Sequence, residues 1–264
     1  RIVLAPNDKE NKIFINTIYL TGSLNDPQGK SGLAHLLEHL AFKGTQNVKG
    51  EEFQRRLDQY TLMTNASTDY YSTKYTNIVR PEKTALDQVL YLESERMDKL
   101  VLQEKFVPSE IEIVKREREV RMDQPFAVLM DKMWKSAYGN QYLGRLPIGD
   151  LPELKSIKMP ELNQFYRSWY APNNAVLVVA GDVVPTEVLA LAQKYYGVIP
   201  TKKIRDRKPQ NEIAQIGVRR IQVKAPAENP DVTFAWKVPK IEPSDVKQID
   251  PYALSVLAGI LDGH

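Results

Sequence analysis

The chain has 264 residues, 42% hydrophobic and 26% charged, a composition that supports one or two packed cores and argues against a disordered polypeptide. Its 36 Lys and Arg against 33 Asp and Glu leave a formal charge of +3, too small and too evenly spread for a nucleic-acid groove or a polybasic membrane patch. Cysteine is absent, which excludes disulfides, thiolate catalysis and cysteine-ligated metal, and no run approaches the roughly 18 to 20 apolar residues of a membrane helix, so no transmembrane segment is expected.

The opening RIVLAPNDKENKIFINTIYL has no initiator methionine and lacks the short apolar block and cleavage site of a signal peptide, so the start is expected to have been removed or trimmed. Residues 12–20, KIFINTIYL, are apolar and β-branched and predict a strand. A loop over 22–32 leads into the nearly all-apolar segment 33–42, which predicts a helix. GEEFQRRLDQY then predicts an amphipathic helix, and TKYTNIVR a strand closed by Pro81. Thr84 reads as the cap of a long helix, and Ser109, after Pro108, as the cap of EIEIVKREREVRMDQ. NNAVLVVAGDV predicts a strand with a Gly-Asp turn, and PTEVLALAQKYYG a helix opened by Pro185 and closed by Gly197.

Residues 201–215 are polar and rich in lysine and arginine, as a linker is. Beyond them RRIQVKAP and VTFAWKVP predict a strand pair, and DPYALSVLAGILDGH the start of a helix. That tail is too short to bury a core alone. The expected organisation is a metal-binding domain over 1–208, then a linker and the start of a second, incomplete domain over 209–264. Strands and helices without a regular βαβ repeat predict an α+β fold: a largely antiparallel sheet with helices packed on one face.

Only three histidines occur in the chain, and two of them flank a glutamate in the leucine-rich HLLEHL. On a helix with about 100° per residue, His35, Glu38 and His39 fall within one arc, while Leu33, Leu36, Leu37 and Leu40 cover the rest. Ionisable groups on so apolar a helix need partners, and imidazoles at i and i+4 project in parallel, as two ligands of a tetrahedral Zn²⁺ do. The spacing HxxEH inverts HExxH, and a glutamate just before the second ligand reaches a water on the metal rather than the metal itself. The alternative is a pair of buried histidines hydrogen-bonded to backbone or carboxylate.

A catalytic zinc normally takes three protein ligands and leaves one position to water. The remaining histidine, His264, is terminal, so the third candidate is a carboxylate. On the helix after Ser109, the residues Glu110, Ile113, Val114, Glu117, Val120 and Arg121 share one face, and Glu112, Lys115, Arg116 and Glu119 another. The second set reads as a solvated ion-pair face. Glu110 and Glu117 sit among valine and isoleucine, where a metal would supply the strong partner they need. They are about two turns apart, so one can ligate while the other supports the site from behind. Glu110 has a second reading as an early-turn glutamate favoured by the helix dipole.

These residues resemble those of a known family. The chain is similar to the amino-terminal half of an M16-type zinc metallopeptidase, the inverzincin group that includes pitrilysin, insulin-degrading enzyme, the mitochondrial processing peptidase and many bacterial zinc proteases. GLAHLLEHLAFKGT resembles the family's metal-binding helix, EIEIVKRERE the segment carrying the third ligand, TNASTDYYSTKY the active-site edge strand, and WYAPNNAVLVVAGDV a later strand. The likeness covers most of residues 10–200. It implies one Zn²⁺ per chain with His35, His39 and Glu117 as ligands, Glu38 as general base, Glu110 as a supporting carboxylate, and Asn65 and Ala66 beside the substrate backbone.

Two departures bear on the site. QYLGRLPIGD keeps the glycine and Arg145 of the family's tyrosine-glycine-arginine-proline run but rearranges their neighbours, and Ser67 stands where an aromatic residue is common, which predicts a wider pocket. The family also builds its active site between two homologous halves, so the resemblance implies a homologous second domain or subunit as partner, in a homo- or hetero-dimer where it is a subunit. Weak or no activity is expected from the chain alone.

The function implied is a zinc-dependent endopeptidase acting on peptides or unfolded polypeptide segments. The alternative is a non-catalytic or structural partner in a two-subunit M16-type protease, although such partners tend to lack the motif that this chain keeps. A purely structural zinc demands a fourth protein ligand, for which there is no cysteine and no suitable histidine. The polar stretch 61–71 reads either as a free strand edge for an extended peptide or as a surface loop, and Tyr70, Tyr71 and Tyr75 either as a subsite wall or as packing. The resemblance favours the bacterial periplasm or cell envelope over the mitochondrial matrix or another organelle.

Overall fold

Period-two burial organises the sheet. In the computed structural model, which describes residues 1–139, 141–207, 214–241, 245 and 247–262, five strands lie in the order β1-β5-β2-β4-β3. His264 and the expected boundary between 208 and 209 fall outside the described residues. In chain order the elements are β1 (Ile2–Pro6), β2 (Ile13–Tyr19), α1 (Leu33–Leu40), α2 (Glu51–Tyr60), β3 (Met63–Thr68), β4 (Thr73–Val79), α3 (Lys83–Asp98) and α4 (Val107–Met122). They continue with α5 (Pro125–Tyr138), α6 (Leu151–Lys155), α7 (Met159–Trp169), β5 (Ala175–Gly181), α8 (Pro185–Tyr196) and α9 (Asp250–Asp262). β1 runs parallel to β5, and the other neighbours are antiparallel.

Ile13, Ile15, Thr17 and Tyr19 of β2 and Thr73, Tyr75, Asn77 and Val79 of β4 are buried, and the residues between them are not. One sheet face therefore carries the core. Part of it packs on α3 and α8, through Ile15, Val79, Val89, Leu90, Val179 and Val188. The rest meets α1 and α7, where Tyr19, Tyr75 and Tyr170 join Leu36, Leu37 and Leu162. This is the α+β arrangement expected from the sequence. At one border β3 pairs only with β4 among the described residues, which leave its outer edge free.

Several local expectations differ from the structure. α3 begins at Lys83 with extended Glu82 before it, so Thr84 lies inside the first turn and is not the cap. α4 begins at Val107, because Pro108 is tolerated in a first turn where its missing N–H has no partner to lose; the Ser109 hydroxyl donates back to the Phe106 carbonyl at 2.8 Å. α5, α6 and α7 occupy a span to which the periodicity reading assigns nothing. Residues 219–226 and 232–239 form no strand among the described residues. A lone strand pair is marginal in water, and Phe234 and Trp236 here stack on each other while both remain exposed.

The chain divides into two compact units, Arg1–Ala225 and Pro226–His264, and α9 belongs to the second. Among the described residues no helix is long and apolar enough to cross a membrane.

Candidate metal centre

Helix α1 is fixed at both ends by buried ionisable side chains. Gly32, just before it, has φ 87°, in the left-handed region, and a Cβ there would lie 2.8 Å from Leu154 Cδ2 and 2.9 Å from the Ile148 carbonyl. Glycine cannot cap with a side chain, and Asp26 does so from six residues upstream, accepting the Gly32 and Ala34 N–H groups at 2.9 Å each. Burial pushes the Asp26 carboxyl up to about 8, and those donors oppose the rise. At the other end the fully buried Arg96 of α3 donates Nε–H to the Ala41 carbonyl at 3.2 Å and pairs with Glu93. Its guanidinium lies over the rings of Tyr75 and Phe42, 4.1 and 4.6 Å from their centroids. A cation at a helix C-terminus complements the helix dipole.

Between these anchors His35 and His39 stand one turn apart with ring centroids at 4.7 Å. Both Nε2 atoms face the same oxygen of Glu117 on α4, at 3.7 and 3.6 Å. These distances exceed a hydrogen bond but approach the edge of roughly 3.4 Å that a tetrahedron has when its ligands lie about 2.0–2.1 Å from zinc. One ligand atom each from His35, Glu38 and His39 also lies within 4.8 Å of the others. Two imidazoles and a carboxylate, arranged in this way, fit a zinc ion.

The surroundings differ from group to group. His39 Nδ1 faces Glu110 Oε2 at 3.2 Å, and Glu110 Oε1 in turn accepts from Lys43 Nζ at 2.7 Å. A carboxylate there keeps the ring proton on Nδ1 and leaves the Nε2 lone pair facing Glu117. Burial lowers the pKa of His39, but Glu110, Glu117 and Glu38 outweigh it and hold the ring above its ordinary value. Burial likewise lifts Glu110, yet hydrogen bonds from His39 and Lys43 keep it below the usual carboxylate range. His35 Nδ1, by contrast, is buried without a hydrogen-bond partner among the described residues. Burial and neighbouring His39 push His35 down to about 3, so it is neutral, as a metal ligand must be.

Glu38 accepts a hydrogen bond from Thr68 Oγ1 of β3 at 2.5 Å. Burial pushes Glu38 up to about 7 in spite of that bond. A carboxyl titrating there can both take and return a proton near neutrality.

The structure thus gathers His35, Glu38, His39, Glu110 and Glu117. The α4 face expected to point wholly into the core does not: Glu110, Ile111 and Val114 are buried, whereas Ile113, Glu117 and Val120 are exposed. The buried stripe is narrower than the sequence pattern, and Glu117 looks onto an open cleft. Asn65 and Ala66 lie on β3 shortly before Thr68, where Asn65 Oδ1 accepts the Ala66 N–H at 2.9 Å. Tyr75 packs in the core with its hydroxyl 3.0 Å from that of Tyr170, Tyr71 is exposed, and Tyr70 lines the cleft. Ser67 is exposed on the edge strand. Arg145 pairs at 3.1 Å with Glu153, which also accepts the Ser31 N–H, so the rearranged loop braces the entry to α1.

Four contributors have no place in the sequence reading: Asp26, Lys43, Thr68 and Arg96. Only Lys43, four residues after His39 in HLAFK, carries a signal in its spacing.

A sequence model of the family described as Insulinase (Peptidase family M16) matches residues 2–150. The chain belongs to peptidase family M16. A second model of this family, described as Peptidase M16 inactive domain, matches residues 156–264, so the whole ionisable cluster lies in the part matched by the first. Among M16 relatives, the zinc protease PqqE of Helicobacter pylori is 32% identical over 98% of this chain and 59% of its own length. The mitochondrial-processing peptidase subunit beta of Saccharomyces cerevisiae is 30% identical over 68% of this chain and 38% of its own. The chain therefore spans less than two thirds of the length of these relatives. Of solved structures, a protease from Helicobacter pylori superposes with a TM-score of 0.72 and 30% identity, covering 80% of this chain and 51% of that one. The first half of the periplasmic protease PqqL from Escherichia coli gives 0.74 and 25%, covering 81% of this chain and 47% of that one.

Proposed function

We propose that this M16 chain is the metal-binding part of a zinc-dependent endopeptidase that hydrolyses peptides or unfolded polypeptide segments. The observation that carries the reading is the convergence of His35 Nε2 and His39 Nε2 on one Glu117 oxygen beside a buried glutamate. Zinc held by those three side chains would polarise a scissile carbonyl and acidify a water. Glu38 takes the proton of the attacking water and returns it to the departing amine, with its carboxylate aimed by Thr68. Glu110, backed by Lys43, keeps the His39 ring in its orientation. The free edge of β3 pairs with the extended substrate beside Asn65 and Ala66, and the Asn65 side chain turns away from the Ala66 N–H to admit it.

A homologous second domain or subunit completes the chamber, so the 264 residues alone turn over weakly or not at all. That an Escherichia coli relative is described as a periplasmic protease supports a place in the bacterial envelope.

The test is hydrolysis of unstructured peptides by the full-length protein with and without a chelator, alongside zinc analysis. Glu38→Gln is expected to keep stoichiometric zinc and to lose roughly a hundredfold or more in turnover. Full-rate cleavage by that zinc-loaded variant would overturn the role of Glu38, and a wild-type protein that binds no zinc would overturn the whole reading.

A further inference from the structure

We propose that the core behind helix α1 binds a small cluster of ordered waters, held by Thr17, Tyr19, Asn77, Glu93, Arg96 and Tyr196 and reached from solvent through a cleft beside α8. The inference stands apart from the peptidase reading and would survive its failure.

Six buried polar atoms carry it. Thr17 Oγ1, Tyr19 Oη, Asn77 Oδ1, Glu93 Oε2, Arg96 Nη2 and Tyr196 Oη have no hydrogen-bond partner among the described residues. Thr17, Tyr19, Asn77, Glu93 and Arg96 are completely buried, so bulk water does not meet them at the surface.

The six belong to one place. Thr17 and Tyr19 of β2 and Asn77 of β4 lie on the core face of paired strands. Asn77 Nδ2 donates to Glu93 Oε1 at 2.9 Å, and Glu93 pairs with Arg96, so Asn77 Oδ1, Glu93 Oε2 and Arg96 Nη2 are the unused halves of groups already joined. Burial pushes the Tyr19 and Tyr196 hydroxyls well above their usual range; Glu93 raises both further and Arg96 opposes the rise, which puts both phenols within reach of that pair. Thr17 opposes the rise at Tyr196 as well, although the two hydroxyls are not in hydrogen-bond geometry.

Donors and acceptors select the guest. Arg96 Nη2 can only donate, the Glu93 carboxylate and Asn77 Oδ1 can only accept, and the three hydroxyls do either. The guanidinium repels a cation, the carboxylate repels an anion, and an apolar guest leaves all six atoms unpaired. Water satisfies both kinds of group. A buried water makes typically about three hydrogen bonds, so six atoms call for about two molecules.

Access follows the same geometry. Thr17 and Tyr196 line a cleft of about 460 Å³ between β5 and α8, together with Ile2, Met97, Leu177 and Ala192. Tyr19, Asn77, Glu93 and Arg96 do not line it, so only a very small molecule passes from the cleft to them. Once there, it joins β2, β4, α3 and α8 around Arg96, the side chain that holds the carboxyl end of α1.

The test uses the full-length, zinc-loaded protein. A crystal structure that resolves waters is expected to show them hydrogen-bonded to Glu93 Oε2 and to Arg96 Nη2, at about 2.6–3.2 Å. In solution, oxygen-17 relaxation dispersion counts long-lived buried waters, and Thr17→Val combined with Tyr196→Phe is expected to lower the count by about one or two. Thr17→Ser, which keeps the hydroxyl, and Thr76→Val, on the opposite sheet face, are expected to leave it unchanged. A dry Glu93 Oε2 or Arg96 Nη2, a metal ion in place of water, or a count untouched by the double variant overturns the proposal. Should the double variant fail to fold, the wild-type crystal structure decides alone, by water on those two atoms or its absence.

Discussion

His35 and His39 stand one turn apart on α1, and the protein holds them by opposite means. His39 is tied through Nδ1 to Glu110 and through Glu110 to Lys43, a chain of alternating charge that reaches across to α4. His35 has no such tie, and its Nδ1 is buried with no partner among the described residues. Its orientation comes from the packing of the helix that carries it, which Asp26 secures at one end and Arg96 at the other. One imidazole is set by a local network and the other by the fold, so different substitutions should disturb them.

Arg96→Met attacks the shared support and has the largest expected effect. It leaves Glu93 fully buried with no cation beside it, and breaking a buried pair in this way costs about 3–5 kcal/mol. Denaturant unfolding of the zinc-free protein measures the loss. Adding Glu93→Gln to Arg96→Met should recover much of it, and a single variant as stable as wild type would show that α1 is not anchored there.

Glu110→Gln separates the two histidines. The amide keeps the volume but takes away the negative charge that faces the His39 ring, and zinc affinity should fall roughly ten- to a hundredfold in competition with a chelator. No partner exchange of this kind is open to His35, whose Nδ1 has no side-chain acceptor among the described residues. Unchanged zinc affinity would reduce Glu110 to an early-turn residue of α4 that happens to lie near the site.

Acid titration of the zinc-free protein sharpens the contrast, because the two rings respond with opposite sign. The folded pKa of His35 is depressed from 6.5 to about 3, chiefly by burial, so the unfolded chain binds the extra proton first and stability drains away as the pH falls through that window. The slope for one group approaches about 1.4 kcal/mol per pH unit. His39 is raised, so its contribution is fully present below the unfolded value of 6.5 and is lost as the pH rises through its folded pKa. His35→Gln should flatten the acid side of the stability profile, and His39→Gln the side near and above neutrality. Identical profiles for the two variants would remove the distinction.

The same contrast marks what the sequence makes legible. HxxEH and the carboxylates of α4 are visible because helical periodicity places them, and short apolar, β-branched runs reveal β2, β4 and β5. Thr68 and Arg96 act across the fold instead, Thr68 meeting Glu38 from 30 residues away and Arg96 meeting Ala41 from 55, while Asp26 caps α1 from an irregular loop that helical spacing does not reach. Nothing in a threonine of an alternating strand, or an arginine in a helix of mixed charge, distinguishes a contact of that range from ordinary surface chemistry. The missed starts of α3 and α4 have a local cause, since Glu82 and Phe106 precede those helices without any side-chain cap. Residues 219–226 and 232–239 have strand composition, but composition does not provide the neighbouring strands that a ladder requires.

Lys43→Met makes the smallest and most discriminating change. Lys43 is ion-paired with Glu110 and its ammonium lies 5.9 Å from the Phe106 ring centroid, and its side chain is 32% exposed, so water and salt screen its charge. Zinc affinity should therefore fall only a few-fold, less than for Glu110→Gln, and the deficit should shrink as ionic strength rises because wild type loses the same attraction. Combined with Glu110→Gln it should add almost nothing, since the lysine would have no carboxylate left to hold. Additive losses in the double variant would mean that Lys43 reaches the metal site by another route, and the chain of charge behind His39 would then end at Glu110.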